Sequence, residues 1–323
     1  MTIHLSELAH IKVVVSNAEK TYQILQAIFG AEKLKENFQS SFAKVVYVGV
    51  GDFVLQYIEP RVKKGPWYDH LLTKGPGIFS LAFAVEDVEK AVNILKDEER
   101  VSSIISSHSD DDFYKEVPHE FLNENIKTEY ILDTMGKTGF NLELGQKPLS
   151  VDLAPSQAQY VTGVDNLIGD ASTLVHFELV TPDAEKSYSF LNRIFGSEKV
   201  EIDFANLLNS DYGDFMRIIH VNLSNIVLQY CQPIAEEGSW YELLKKNGAF
   251  VHNLNFCVDN IEETIKKYDR ENISHLFKAK LTPEADTHFY MMESMDKLGV
   301  HMEHAQMPSE VPEGFLFTDL KKD

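Results

Sequence analysis

Hydrophobic residues follow strand-like and helix-like patterns in a fixed order along the start of the chain. Residues 8–15 form an apolar run typical of a strand, and apolar residues within 17–29 recur at helical spacing. Gly30 is typical of the residue that follows a helix. Extended patterns come next at 42–48 and 53–58. The pattern therefore predicts a unit of one strand, one helix and then further strands.

The same kind of unit is predicted twice in each half of the chain. In the rest of the first half, the pattern predicts strands at 78–85, 128–132 and 139–144 and a helix at 88–95. In the second half it predicts helices at 184–195 and 261–268 and strands at 174–181, 216–223, 226–230, 251–258, 288–293 and 299–304.

The residues themselves also recur between the two halves. The matching segments keep nearly constant offsets of 166, 173 and 160 residues, in the same order along both halves. They are 10–33 with 176–199, 54–57 with 227–230, Trp67-Tyr68 with Trp240-Tyr241, and 135–143 with 295–303. Matches of this kind indicate a duplicated domain.

The repeat predicts two domains, at residues 1–147 and 173–323, the second of which ends in a C-terminal tail. A length of 323 residues agrees with two domains. Segment 148–172 contains Pro155 and Gly163 and breaks the repeated pattern, so it is predicted to be a linker. The two Trp-Tyr pairs are predicted to open short helices and to serve packing.

Composition narrows the class of protein. The hydrophobic fraction of 44% is ordinary for a globular chain, and the formal net charge of −20 disfavours a nucleic-acid-binding surface. Cys231 and Cys257 give neither a disulfide framework nor zinc-ligand spacing. The start of the chain lacks the pattern of a signal peptide, and no apolar run is long enough to span a bilayer. We expect a cytoplasmic protein with neither nucleic-acid nor membrane partners.

Four polar side chains on strands of the second half are candidate metal ligands: His176, Gln229, His252 and Glu303. Two imidazoles and a carboxylate can hold a divalent ion and leave coordination positions open. An amide oxygen from Gln229 would favour Mn, Co, Ni, Fe or Mg over a closed structural zinc site. The alternative is that each residue is a hydrogen-bonded polar group of a strand, because no local motif such as HExxH is present.

The chain resembles the vicinal oxygen chelate superfamily over residues 8–146 and 172–306. The segments that carry the resemblance are His176–Gly196, Ile226–Pro233, Val251–Ile261 and Gly299–Glu303. This superfamily includes glyoxalase I, methylmalonyl-CoA epimerase, bleomycin-resistance proteins and extradiol dioxygenases. The resemblance implies an α+β fold of four βαβββ modules, which form two cupped mixed β-sheets with helices on the outer face. It also implies ligands inside the cup, with His176, Gln229 and Glu303 at ligand positions of the epimerase-like pattern.

Residues 252 and 253 depart from that pattern. Epimerase-like sequences have two adjacent histidines here, and the second is the ligand, but counting back from the segment 258–261 gives Asn253 at the second position. Strand alternation would turn Asn253 into the cup and His252 towards the helix. His252 is then a ligand only if a β-bulge or a twist at the strand end turns it inward. His301 shares a face with Glu303 and is the alternative ligand. Asn253 and His301 are also candidates for substrate binding.

Catalytic roles follow from the same resemblance. Glu303 is the candidate proton shuttle, as a metal-bound or nearby carboxylate. The stretch that carries a further base in epimerase-like proteins lacks a glutamate here, which argues against methylmalonyl-CoA epimerase itself. His220 lies in that stretch and is a candidate base, with a satisfied strand histidine as the alternative. Arg217 is a candidate for binding an anionic substrate if it faces the cup.

The first half keeps His10, Gln56 and Glu143 but has Phe79-Ser80 where the second half has His252-Asn253. It is therefore predicted to be a degenerate copy that frames the second half.

Three functions remain open from the sequence. The favoured one is a metal-dependent lyase or isomerase of the glyoxalase or epimerase type that acts on a small oxygenated carbon acid. The alternatives are a non-haem iron dioxygenase, which uses two histidines and one carboxylate, and a metal-free binding protein of the bleomycin-resistance type. The predicted cofactor is one divalent ion (Fe, Mn, Co, Ni or Zn), the partner is a small-molecule substrate, and a homodimer is an open alternative to a monomer.

Overall fold

A computed structural model of the protein describes residues 2–35, 38–106, 128–146, 171–200, 215–280 and 288–306. The predicted linker 148–172 lies outside these residues apart from its last two, which belong to a strand. The predicted C-terminal tail also lies outside them. The domain boundaries therefore stay predictions.

The first half contains nine strands and four helices in its described part. In chain order these are β1 Leu8–Val14, α1 Ala18–Phe29, β2 Glu32–Lys33, β3 Phe38–Gln39, β4 Ala43–Val50, β5 Phe53–Pro60, α2 Pro66–Lys74, β6 Gly77–Val85, α3 Val88–Glu99, β7 Ser103–Ser106, β8 Thr128–Leu132, α4 Met135–Thr138 and β9 Asn141–Gln146.

The second half contains seven strands and four helices in its described part. In chain order these are β10 Ala171–Val180, α5 Ala184–Phe195, β11 Met216–Leu223, β12 Ile226–Pro233, α6 Ser239–Asn247, β13 Phe250–Val258, α7 Ile261–Arg270, β14 His275–Lys280, β15 His288–Met292, α8 Met295–Leu298 and β16 His301–Gln306.

The two sheets have matching strand orders. The first is β2-β4-β5-β1-β6-β9-β8-β7, with β3 also paired to β4, and the second is β11-β12-β10-β13-β16-β15-β14. Both are mixed, since β1 is parallel to β5 but antiparallel to β6, as β10 is to β12 and β13. The predicted fold class is confirmed. The short strands β7 and β14 and the four-residue helices α4 and α8 had no sequence signal strong enough to predict them.

Capping residues explain where the long helices begin and end. The Asn17 side chain accepts a hydrogen bond from the Lys20 amide, and Gly30 ends α1 with a φ of 71°. Asp183 and Gly196 do the same for α5, where the glycine φ is 70°. These caps agree with the predicted helix limits.

The helices α1, α3, α5 and α7 lie on the face of each sheet opposite its cup, and that face is shared between the halves. The helices α2 and α6 instead contact the cups through Trp67 and Trp240. Side chains of α1 and α5 belong to one continuous apolar core with strand residues of both sheets. The Phe29 ring of α1 lies 5.0 Å from the Phe256 ring of β13. In the same region the Tyr268 hydroxyl lies 2.6 Å from Nε2 of His304. Burial of these faces leaves the opposite face of each sheet, here called its cup, with the buried polar side chains His10, Lys12 and Glu143 in the first half and His176, Glu178 and Glu303 in the second. Within the described ranges, none of the helices is long and apolar enough to cross a membrane.

Candidate metal centre

Three adjacent strands present polar side chains to the second cup. β10 contributes His176 and Glu178, which lie two positions apart and therefore share a face. β13 is paired with both β10 and β16, so that Asn253 lies opposite Glu178 and Asn255 lies opposite Glu303. Sheet register thus brings together side chains that are far apart in the sequence.

His176, Glu178 and Glu303 form a compact group at the bottom of this cup. One ligand atom from each lies within 4.8 Å of the others, and all three side chains are buried. Two buried carboxylates repel each other unless a proton or a cation lies with them. An imidazole with two carboxylates is a donor set that Mn, Fe, Co and Zn all accept, so these residues fit a divalent ion.

Glu178 is the most heavily hydrogen-bonded member of the group. Its Oε1 accepts from the Trp240 indole nitrogen at 2.8 Å and from the Cys231 thiol at 3.2 Å. Its Oε2 accepts from the Asn253 amide at 2.9 Å, and Nε2 of His252 lies 3.4 Å from Oε1. Burial alone would raise the pKa of Glu178, but these neighbours, His252 foremost, hold it well below its usual range. Glu178 is therefore the carboxylate that carries charge.

Glu303 has the opposite electrostatic environment. Burial, and then the charge of Glu178, raise the pKa of Glu303 to about 8. The Asn253 amide donates to Oε2 of Glu303 as well as to Glu178, and so bridges the two carboxyl groups. Without a cation, Glu303 holds a proton at neutral pH, so the pair carries one negative charge.

A β-bulge brings His252 into the cup. Leu179 pairs with Val251 and Glu178 pairs with Asn253, which leaves His252 as the extra residue between them. Its ring is completely buried and lies 6.5 Å from the His301 ring, on the cup side of the sheet. His252 and Asn253 therefore both reach Glu178. Strict alternation would have separated them.

Gln229 and His220 form a buried pair beside His176. The pair is in register across β11 and β12, and Nε2 of His220 lies 2.8 Å from Oε1 of Gln229. Burial lowers the pKa of His220 to about 4, so the ring is neutral at neutral pH, and its Nε2–H donates to the amide oxygen. Burial, with a smaller contribution from His220, lowers the pKa of His176 to about 3. A neutral imidazole is the form that can bind a metal ion.

The remaining predicted residues lie farther from the group. Arg217 is exposed and pairs with Gln232. It lies three positions from His220 on the same strand, and residues an odd number apart face opposite sides of a sheet, so Arg217 faces away from the cup. The structure therefore does not bring it to the site. His301 lies on the cup face, and its Nδ1 lies 3.0 Å from the Met292 carbonyl oxygen.

Three residues of the site were not predicted from the sequence: Glu178, which belongs to the group, and Trp240 and Cys231, which contact Glu178. Glu178 shares a strand face with His176, which was a usable signal. The Trp240 contact had no such signal, because the tryptophan lies on α6 rather than on a strand. Trp240 also lines an open cavity of about 690 Å³ next to the cup, together with Phe215, Met216 and Glu237.

The first cup has a different charge balance. Lys12 lies opposite Ser80 on β6, and its Nζ is 2.7 Å from Oε2 of Glu143. Oε1 of Glu143 lies 3.5 Å from Nε2 of His10, and the Ser80 hydroxyl donates to Oε2 at 2.9 Å. Burial would raise the pKa of Glu143, but Lys12 and His10 lower it far below its usual range. Apolar residues, among them Phe79, pack into the same region.

Comparisons with known sequences find one family profile and one similar curated protein. Residues 7–116 match the profile of the Glyoxalase/Bleomycin resistance protein/Dioxygenase superfamily. The mitochondrial methylmalonyl-CoA epimerase of Homo sapiens is 25% identical over 132 residues, which are 41% of this chain and 72% of that protein.

Solved structures show the same fold over nearly the whole chain. A mutant 4-hydroxymandelate synthase from Streptomyces coelicolor has a TM-score of 0.61 at 14% identity, with 97% of this chain and 96% of that chain covered. The Mn(II)-bound glyoxalase from Novosphingobium aromaticivorans has a TM-score of 0.53 at 12% identity, with 94% and 83% covered.

Proposed function

We propose that this chain, a member of the Glyoxalase/Bleomycin resistance protein/Dioxygenase superfamily, is a divalent-metal-dependent lyase or isomerase that acts on a small oxygenated carbon acid. The active site is the second cup, and the metal ligands are His176, Glu178 and Glu303. Gln229 and His252 lie next to them. The observation that carries the proposal is the buried group of one neutral imidazole and two carboxyl groups of unequal pKa.

Glu178, Glu303 and Asn253 have different roles in the proposed reaction. A bound divalent ion would supply Lewis-acid stabilisation of an enolate-like oxygen. Glu178 is ionised and fixed by its donors, so it provides permanent negative charge for the ion. Glu303 is the more basic of the two carboxyl groups, since its pKa is about 8 without an ion. With an ion bound, it would therefore be the one to take up and return the substrate proton, at the Oε that does not hold the ion. The Asn253 amide holds both carboxyl groups in place for these roles.

Metal binding is the first test. The protein is stripped with chelator and titrated with Mn²⁺, Fe²⁺, Co²⁺, Ni²⁺ and Zn²⁺ by calorimetry. We expect one ion per chain and loss of about 100-fold or more in affinity in Glu178→Gln, because a ligand and its permanent charge are removed, whereas changes beside a ligand cost about 10- to 100-fold. Lys199→Gln, which breaks the exposed pair with Glu185, is the matched surface control. Equal affinity in both variants would show that the ion does not bind in the second cup.

Proton exchange is the second test. Metal-loaded protein is incubated in D₂O with 2-methyl acyl thioesters, 2-hydroxy acids and 2-oxo acids, and loss of the α-proton signal is followed by NMR. Glu303→Gln should slow exchange by about 100-fold or more, since a positioned base contributes about that much. Exchange at the wild-type rate in this variant would show that Glu303 is not the group that moves the proton.

An iron dioxygenase is the second candidate, and the position of His252 favours it. The bulge places a second buried imidazole beside Glu178, so two imidazoles and a carboxylate are available to iron. Oxygen uptake by the Fe²⁺-loaded protein with catechols or 2-oxo acids separates this activity from proton exchange. Ligand binding with neither metal nor turnover would instead support the binding-protein alternative.

A further inference from the structure

A cleft of about 320 Å³ lies between the two halves, and one of its lining residues, His301, also lies on the cup face of β16. Its first wall comes from α2 and the start of β6, with His70, Lys74 and Gly77. Its second wall comes from α6 and the residues after it, with Leu243 and Lys246 among them. The turn from β15 into α8 closes it with Glu293 and Asp296. The volume is in the range of small-molecule sites.

His70 lies in this cleft with a nitrogen that lacks a hydrogen-bond partner. The side chain is only 9% exposed, and no atom of the described residues pairs with its Nε2. A buried polar atom without a partner costs free energy, so a ligand or a water molecule is expected to pair with it.

Gly77 makes room for that nitrogen. A Cβ at residue 77 would lie 2.9 Å from Nε2 of His70, closer than such contacts allow. At the offset of 173 residues, the second half has Phe250 instead of Gly77 and Leu243 instead of His70. The cleft is therefore lined by corresponding elements of the two halves. The wall from the first half has a polar residue and a glycine where the wall from the second half has two apolar side chains.

The lining of the cleft carries two positive and two negative side chains on different elements. Lys74 and Lys246 lie at the C-terminal ends of α2 and α6, while Glu293 and Asp296 lie on the single turn before and within α8. All four side chains are exposed at the rim, whereas His70 is at the buried end. Apolar groups, including Ile78 and Met295, lie in the same lining.

We propose that this cleft binds a small zwitterion of amino-acid size. Its carboxylate would lie towards the lysines and accept from His70 Nε2–H. Its ammonium group would lie towards Glu293 and Asp296, and its short apolar body would pack on Ile78 and Met295. The proposal is independent of the proposed reaction, because none of the residues that define it is a proposed metal ligand.

The test uses L-leucine and two neutralised analogues on the full chain, measured by calorimetry. L-leucine has both charges, leucinamide lacks the carboxylate and 4-methylpentanoate lacks the ammonium group. We expect L-leucine to bind, and each analogue to bind about tenfold or more weakly, since each loses one charged contact. Equal binding of 4-methylpentanoate would overturn the zwitterion proposal, as would no binding of L-leucine up to about 10 mM.

Variants locate the binding. His70→Phe keeps the ring packing with Phe79 but removes the nitrogen, and should weaken L-leucine about tenfold. Gly77→Ala should also weaken binding, because the new Cβ displaces His70 Nε2 without removing it. Leu243→Trp should weaken it too, because the larger side chain occupies part of the cleft from the second half. Glu303→Gln should leave it unchanged. If Glu303→Gln abolishes binding, or the three cleft variants bind as wild type does, the ligand is not in this cleft and the proposal is wrong.

Discussion

In the first cup Lys12 stands where the second cup has Glu178, since the two residues are separated by the offset of 166 that relates His10 to His176. Both lie opposite the polar residue of the neighbouring strand, Ser80 or Asn253. One cup therefore contains a lysine and a glutamate, and the other contains two glutamates. The same backbone positions give a neutralised pair in one half and an unbalanced pair in the other.

The exchange of Lys12 for Glu178 decides whether a cup needs an external cation to balance its buried carboxylates. In the first cup, Nζ of Lys12 is 2.7 Å from Glu143, so the positive charge is built into the chain. In the second cup, Glu303 must hold a proton or share a cation with Glu178. Metal binding is thus expected in the second cup and not in the first.

Lys12→Met should have the largest effect on stability. It leaves Glu143 as a buried carboxylate without its main counter-charge, which costs about 3–5 kcal/mol of unfolding free energy. The measurement is urea denaturation of the metal-free protein. Lys33→Met is the control, because its pair with Glu19 is partly exposed and worth at most about 1 kcal/mol. A loss below about 1 kcal/mol for Lys12→Met would mean that Glu143 is neutralised by another group.

Lys12→Glu should convert the first cup to the charge pattern of the second. The new carboxylate would join His10 and Glu143, and Mn²⁺ at about 100 times its dissociation constant should restore about 3 kcal/mol of stability. Calorimetry should then give two ions per chain instead of one. Lys12→Gln should gain no second ion. A single ion in the Lys12→Glu variant would show that the apolar lining of this cup, and not its charge, prevents metal binding.

The same substitution should have opposite signs in the two cups. The pKa of Glu303 is raised, so in the metal-free protein its native state keeps a proton that the unfolded state loses between about pH 4.5 and 8. Wild-type stability therefore falls as pH rises through this window, and Glu303→Gln should be stabilised relative to it by about 3 kcal/mol at pH 7.

Glu143 follows the reverse rule, because its pKa is lowered. Its stabilising contribution is present above the unfolded value of 4.5 and is lost as pH falls below it. Glu143→Gln should therefore destabilise the protein at pH 7 and have little effect in strong acid. Denaturation of both variants at several pH values, in chelator, checks the two signs. Two curves with the same sign would refute the assigned charge states.

Most of the fold could be predicted from the sequence because its signals are local. Strand and helix limits such as Ala184–Phe195 follow from periodicity and from a cap residue on each side. The edge strands β7 and β14 were not predicted, because β7 has only four residues and β14 has three basic residues among its six, so neither shows a clear strand pattern. The ligand candidates His176 and Glu303 could be found because each recurs at a fixed place in the repeat.

The rest of the site could not be predicted because it depends on register and on contacts between distant elements. The charge of Glu178 depends on three hydrogen-bond donors, Cys231, Trp240 and Asn253, and on the nearby His252, all of which lie on other strands or on α6. In a regular strand, alternation would turn His252 away from the cup. The bulge that turns it inward is visible only in the pairing between β10 and β13. The first half has a register shift at the same point, between Lys12 and Val13, so that Phe79 is its extra residue.

His252→Phe copies that first-half residue into the second cup and should have the smallest effect. The bulge is kept, because Phe79 occupies the same position in the first half, so folding should be preserved. The imidazole beside Glu178 is lost, and Mn²⁺ affinity should fall by about tenfold, at the low end of what neighbours of a metal ligand contribute. His275→Phe, on the exposed strand β14, is the matched control. A loss as large as that in Glu178→Gln would make His252 a ligand rather than a neighbour of one.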